Sequence, residues 1–213
     1  MADSKRDLVI LVPDRTFRLV VSTLIRRHAS LAIRPMSLDI HAHTQFDPGC
    51  LRNCHEFLKP FLPTHSHALV LFDKHGCGRE TVPAVDLEQE VEERLSRSGW
   101  EGNACAVVVD PELEVWVWSD SPEVVRCLGW VGRQPPLRER LRQEGLWESG
   151  SAKPADPKAA MILALREAGI APPGPAFKQL AASVGLRRCT DHAFVRFREI
   201  LQRWFPVQAE TRE

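Results

Sequence analysis

Three acidic residues stand directly behind apolar runs in this sequence: Asp14 follows residues 8–12, Asp73 follows 68–72, and Asp110 follows 104–109, with Glu112 and Glu114 close behind. If those runs are strands of one parallel sheet, the acids gather at its carboxyl edge, where open α/β sheets bind their ligands. Carboxylates brought together there repel unless they share a cation. Mg2+ suits them, because it takes one or two carboxylates, keeps several waters and bridges to phosphate, and Mn2+ accepts the same oxygen donors. The expected metal ligands are therefore Asp14, Asp73, Glu112 and Glu114. Taken singly, Asp14 and Asp110 read as helix caps; the coincidence of three strand ends is what points to a site.

The loop behind Asp73 carries Lys74, His75, Gly76, Gly78 and Arg79. Its glycines permit close backbone approach, Lys74 and Arg79 suit phosphate oxygens, and His75 suits proton transfer. The plainer reading is a glycine turn leading into a helix. The glycine-rich P-loop pattern, the dinucleotide-binding fingerprint and the serine-hydrolase elbow are all absent. A second group, His41, His43, Cys50, Cys54, His55, His65 and His67, has the nitrogen and sulfur for zinc but not the paired spacing of a structural zinc site; the alternative is loop histidines and core cysteines. In residues 111–120, either a strand or a helix would place Glu112 and Glu114 beside Trp116 and Trp118. Rings of that size belong in a core, and a carboxylate packed against them must be paired or coordinated.

The elements that must hold these groups follow from periodicity. Residues 8–12, 68–72 and 104–109 are continuous apolar runs, as strands buried on both faces are, and 31–40 alternates like a further strand. Phe17, Val20, Val21, Leu24 and Ile25 recur at helical spacing, as do Leu51, Cys54, Phe57, Leu58 and Phe61 over 50–62, and 85–95 is a charged amphipathic helix. Strands alternating with helices predict an α/β fold, a doubly wound, mostly parallel sheet, over residues 1–130. From 131 to 213 the pattern predicts a helical C-terminal subdomain, with Asp156-Pro157 opening one helix and Phe194, Phe197, Ile200, Leu201 and Trp204 lining another. Arg187, Arg188, Arg196, Arg198 and Arg203 read either as a basic patch or as a solvated helix surface.

Composition narrows the classes. The chain has 213 residues, with 28 Lys+Arg against 28 Asp+Glu, so a nucleic-acid partner would need a local basic patch rather than bulk charge. No apolar stretch approaches the roughly 20 residues of a membrane span, so no membrane partner is expected. The polar, charged start and the six scattered cysteines fit reduced thiols and a cytoplasmic location.

Taken in order, the first strand and its turn, Leu69 to Asp73 with its glycine loop, the stretch 112–120, and Asp156-Pro157-Lys158 before a helical tail resemble a bacterial TOPRIM-related family of uncharacterised function. That family is met in antiphage defence islands, and one component of methylation-associated defence systems is of this type. The most specific piece is the Glu-x-Trp of Glu114 and Trp116 with Asp120 after it. The resemblance implies a TOPRIM-like sheet, Asp73 as its acidic strand end, and Glu114, Trp116 and Asp120 as a later motif. It also implies Mg2+-dependent phosphodiester cleavage or nucleic-acid processing in antiviral defence; joined to the strand-end acids and the glycine loop, it makes Asp14, Asp73, His75 and Glu114 the expected catalytic residues and Lys74 and Arg79 the expected phosphate ligands. Two positions depart from it: Pro13 and Asp14 stand where that fold carries a glutamate and a glycine, and His75 stands where it carries a second aspartate. The alternative is a non-catalytic binding or scaffold subunit, engaging other proteins of a defence operon.

Overall fold

The computed structural model describes residues 5–119, 121–170, 173–183, 185 and 189–207. Four strands, β1 (Arg6–Val12), β2 (Leu38–Ala42), β3 (His65–Asp73) and β4 (Ala104–Val109), form one all-parallel sheet in the order β2-β1-β3-β4. In register, Ile10 lies opposite Ile40 on one side and Leu69 on the other, and Leu69 lies opposite Cys105. Alternate residues enter two separate cores. Leu8, Ile10, Val12, Leu69, Leu71, Val107 and Val109 face one, and Val9, Leu11, Val70, Phe72, Ala106 and Val108 face the other. This is why the strands read as unbroken apolar runs rather than as alternating ones.

The first face is covered by α1 (Arg15–Ile25), which Asp14 opens by accepting the Phe17 N–H at 2.8 Å, and by the short α2 (His28–Leu31). The second face is covered by α3 (Phe46–Leu58) and α4 (Ala84–Leu95). From β1 the chain steps to β2 on one side and then crosses to β3 on the other. The strand order thus reverses between β1 and β3, and Asp14 and Asp73 stand at their carboxyl ends.

Behind β4 come a single helical turn (Leu113–Trp116) and then α5 (Pro122–Cys127), α6 (Leu137–Gln143), α7 (Pro157–Ala168), α8 (Pro173–Ser183) and α9 (His192–Trp204). Their apolar residues, among them Leu141, Met161, Phe177, Phe194 and Phe197, belong to the same core as the first sheet face. The helices past residue 130 therefore complete one side of the sheet. Trp116 donates to Asp191 Oδ1 at 3.0 Å and its ring meets Phe194 and Phe197, while Trp118 donates to the Pro157 carbonyl at 2.9 Å. Among the described residues, no helix is long and apolar enough to cross a membrane.

Three elements differ from their sequence-based expectation. The second strand spans only Leu38–Ala42, not 31–40, because Leu31 closes α2, Ala32 is left-handed and Pro35 has no N–H to give a ladder. Helix α3 begins at Phe46 rather than at 50, with Gln45 at its cap position and Asp47 and Pro48 in its first turn. Residues 111–119 form neither a strand nor a long helix, and their tryptophans turn to α7 and α9.

Among the described residues, strand β4 has no neighbouring strand on its outer edge, and side chains close it. Ala106 N–H donates to Glu92 Oε1 at 2.9 Å and Val108 N–H to Glu88 Oε1 at 3.0 Å, while Arg196 Nε donates to the Ala106 carbonyl at 3.0 Å. Arg196 also lies 3.1 Å from Glu88 Oε2, as an ion contact without hydrogen-bond geometry, and 2.7 Å from Glu92 Oε1. Of the basic tail residues, Arg196 thus belongs to this edge, Arg203 meets Cys105 Sγ at 3.2 Å, and Arg187 and Arg188 lie outside the described residues. Burial pushes the Glu88 carboxyl up, against the Val108 N–H and Arg196. Glu88→Ala strips a buried N–H of its acceptor, so we expect it to lower unfolding free energy by about 2 kcal/mol in urea denaturation, whereas Glu93→Ala on the exposed side of α4 changes it by less than about 0.5 kcal/mol.

Candidate functional site

Asp73 closes β3, and its backbone N–H donates to Asp47 Oδ1 at 2.8 Å. Asp47 reaches this position because Asp47-Pro48 forms the first turn of α3. Leu113, at the start of the turn behind β4, gives its N–H to the Asp73 carboxyl group, but the Asp73 Oδ1 atom is buried without a hydrogen-bond partner. The same turn brings in Glu112 and Glu114, only 6% and 8% exposed. Glu112 Oε1 lies 3.2 Å from His75 Nδ1 and 3.3 Å from Lys158 Nζ. Lys158 stands in the first turn of α7, placed by the Asp156 cap, whose Oδ1 accepts the Ala159 N–H at 2.8 Å.

These groups form one electrostatic unit. Burial holds the Asp73 carboxyl well above the usual carboxylate range, and Asp47, Glu114 and Glu112 push it the same way. Burial also raises Asp47, with Asp14 adding to the shift and the Asp73 N–H and Lys158 opposing it. Glu114 is raised by burial, with Glu112 and Asp14 adding and Lys158 opposing. For Lys158, burial works against the charge, but Glu112, Glu114 and Asp73 outweigh it and hold the ammonium above its ordinary value. Asp47, Asp73, Glu112 and Glu114 are therefore within electrostatic reach of one lysine, at the point where the strand order reverses.

The residues singled out from sequence divide accordingly. Asp73, Glu112 and Glu114 are in the cluster, and His75 stands at its rim, its side chain 66% exposed. Asp14 is within electrostatic reach of Asp47 and Glu114, but its Oδ1 is engaged in capping α1. The expected cage of Asp14, Asp73, Glu112 and Glu114 is not assembled: among the described residues, no three His, Cys, Asp or Glu side chains converge to hold a metal. Lys74 Nζ is paired with Asp110 at 2.8 Å and Arg79 with Glu90 of α4, so neither is the cation of the cluster. Asp120 lies outside the described residues.

The zinc candidates are dispersed. His41 meets Phe61 with ring centroids 4.8 Å apart, His43 Nδ1 accepts the Gln45 N–H at 3.0 Å, and His65 Nε2 lies 3.1 Å from Asp39. His67 sits 4.7 Å from the Trp204 ring, and Cys50 and Cys54 are core residues. Sequence reasoning missed Asp47 and Lys158. For Lys158 a signal was present, the Asp156-Pro157 opening of α7 just before it; Asp47 lies inside the first turn of α3, whose cap is Gln45, and no such opening marks it.

Comparison with known protein families, with curated proteins and with solved structures finds no match.

Phe46, immediately before Asp47, has a left-handed backbone (φ 51°) and a ring 61% exposed. The turn around it is tight: its N–H donates to the His43 carbonyl at 3.2 Å, and a Cβ on Gly49 would sit 2.0 Å from His43 Nδ1. Phe46→Gly should relieve the left-handed strain and raise stability by about 1 kcal/mol in chemical denaturation. The cluster also sets a pH dependence. Asp47, Asp73 and Glu114 titrate higher in the folded protein than in the unfolded chain, so the folded state binds more protons between those values. Their contribution to stability therefore falls as pH rises from the unfolded carboxylate range through the raised values. Urea denaturation at pH 5 and pH 7.5 should show Asp73→Asn losing less stability over that interval than the wild type.

Proposed function

We propose that this protein acts on phosphate esters of nucleic acid with the help of a divalent cation, Mg2+ or Mn2+, at the carboxyl edge of its sheet. The observation that carries the reading is the buried, unpartnered Asp73 Oδ1 beside Asp47, Glu112 and Glu114. A buried carboxylate among like charges is stable only when protonated or when a cation answers it. Hard oxygen donors fit Mg2+, whose ordinary complement is one or two carboxylates completed by water and phosphate oxygens, so a closed cage is not required. Asp73 and Asp47 are the residues to hold it, with Glu114 nearby. When bound, the cation supplies charge neutralisation at the phosphate and a lowered pKa for its water.

The chain's own groups have separate tasks. Glu112 orients the His75 imidazole, which moves the proton at its Nε2. Lys158 offsets the charge of Glu112 and Glu114. The all-parallel sheet with an acidic strand end supports the TOPRIM-like reading, and antiphage defence is the setting that reading suggests. A second reading, a non-catalytic subunit that binds partner proteins of a defence complex, is favoured by the pairing of Lys74 with Asp110 and Arg79 with Glu90, which leaves neither free for phosphate.

Calorimetric titration with Mg2+ and Mn2+, followed by incubation with single- and double-stranded DNA, separates the two. The first reading expects binding in the wild type, loss of binding in Asp73→Asn, and cleavage that falls by about 100-fold or more in His75→Ala. Absence of both metal binding and cleavage would leave the binding-subunit reading.

A further inference from the structure

The loop behind Asp73 contains an arrangement that the carboxylate cluster does not use. The backbone N–H groups of Gly76 and Gly78 both point at one atom, Glu80 Oε1, at 3.1 Å each. They converge because both glycines are left-handed, with φ 89° and 84°. Backbone amides aimed at one point form a concave site for an oxyanion; here the Gly76 and Gly78 amides do so, the Cys77 N–H between them going to the Lys74 carbonyl, and a carboxylate oxygen already occupies the site. Its own N–H first, and then those of Gly78 and Gly76, hold the Glu80 carboxyl below its ordinary value.

Arg52 of α3 completes the arrangement. A Cβ on Gly78 would lie 3.1 Å from Arg52 Nη2, so the guanidinium rests directly over the loop where only glycine leaves it room. Among the described residues, no carboxylate pairs with Arg52, whereas the two other cations of the loop, Lys74 and Arg79, are held by Asp110 and Glu90. Glu80 is exposed, so its carboxylate can move into water without leaving a buried charge behind.

We propose that residues 76–78 and Arg52 form a phosphate subsite, and that Glu80 holds its place until a phosphate group of the substrate displaces it. The proposal rests on the phosphate-ester reading above and deepens it: the subsite begins three residues beyond Asp73, where it can anchor one phosphate of a chain whose neighbour faces the carboxylates. Arg52, Gly76 and Gly78 bind, and Glu80 competes. The opposing view is that Glu80 merely braces the loop.

The test is calorimetric titration of the full chain with inorganic phosphate, in metal-free buffer at fixed ionic strength, with circular dichroism to check folding. Glu80→Ala and the milder Glu80→Gln should each bind phosphate about tenfold more tightly than the wild type, and Arg52→Ala about tenfold more weakly. Equal affinity in the wild type and both folded Glu80 variants overturns the proposal, as does an Arg52→Ala protein that binds phosphate unchanged. Because no divalent cation is present, tighter phosphate binding without later DNA cleavage would sink the phosphodiesterase reading while leaving the subsite intact.

Discussion

A carboxyl group at the end of a strand buried on both faces cannot carry its charge unanswered, and most of what is distinctive here follows from Asp73 being in that position. Its backbone is fixed by the β3 ladder, and its Oδ1 atom is buried without a hydrogen-bond partner. Its neighbours are three further acids and a single N–H from Leu113. The protein therefore carries a locally unfavourable arrangement inside an otherwise well-packed fold. Sites of this kind are commonly kept because function needs them, at some cost in stability.

The fold tolerates the strain because the sheet is anchored from both sides. Helices α3 and α4 seal one face, and α1 together with the C-terminal helices seals the other. Helix α7 links this packing to the site. Within three consecutive residues at its start, Asp156 caps the helix, the Pro157 carbonyl takes the Trp118 indole proton, and Lys158 reaches Glu112. The cation that moderates the cluster is thus delivered by the same turn that seats a core tryptophan. A change that shifts this turn to suit the core would also alter the charge at the site.

Much of this was legible in the sequence, and the reasons are physical. Unbroken apolar runs at 8–12, 68–72 and 104–109 could be little else than strands covered on both faces, and a parallel sheet places their acidic ends together. Thus Asp73, Glu112 and Glu114 were found. Two local rules obscured the rest. Lys74 and Arg79 looked like the phosphate cations because they adjoin the glycine loop, but in space the nearest carboxylates, Asp110 and Glu90, claim them. Asp47 was hidden because it lies in the first turn of α3 ahead of the apolar periodicity, and no spacing rule links it to the backbone of Asp73. Periodicity marks which face of an element is buried; it does not say which distant charge will settle beside it. That is why Lys158, more than 80 residues beyond Asp73 along the chain, was the least legible member.

The closed edge of β4 has a wider implication. An open strand edge is a template on which another chain can grow. Here Glu88, Glu92 and Arg196 occupy the positions that a fifth strand's backbone would take, from two helices distant in sequence. Lengthening the sheet would require all three to be exchanged together, since any one left behind would be a charge stranded against the incoming strand. Growth of the sheet on the β4 side is therefore opposed by a three-residue combination, and assembly with another molecule through this edge is blocked at the outset.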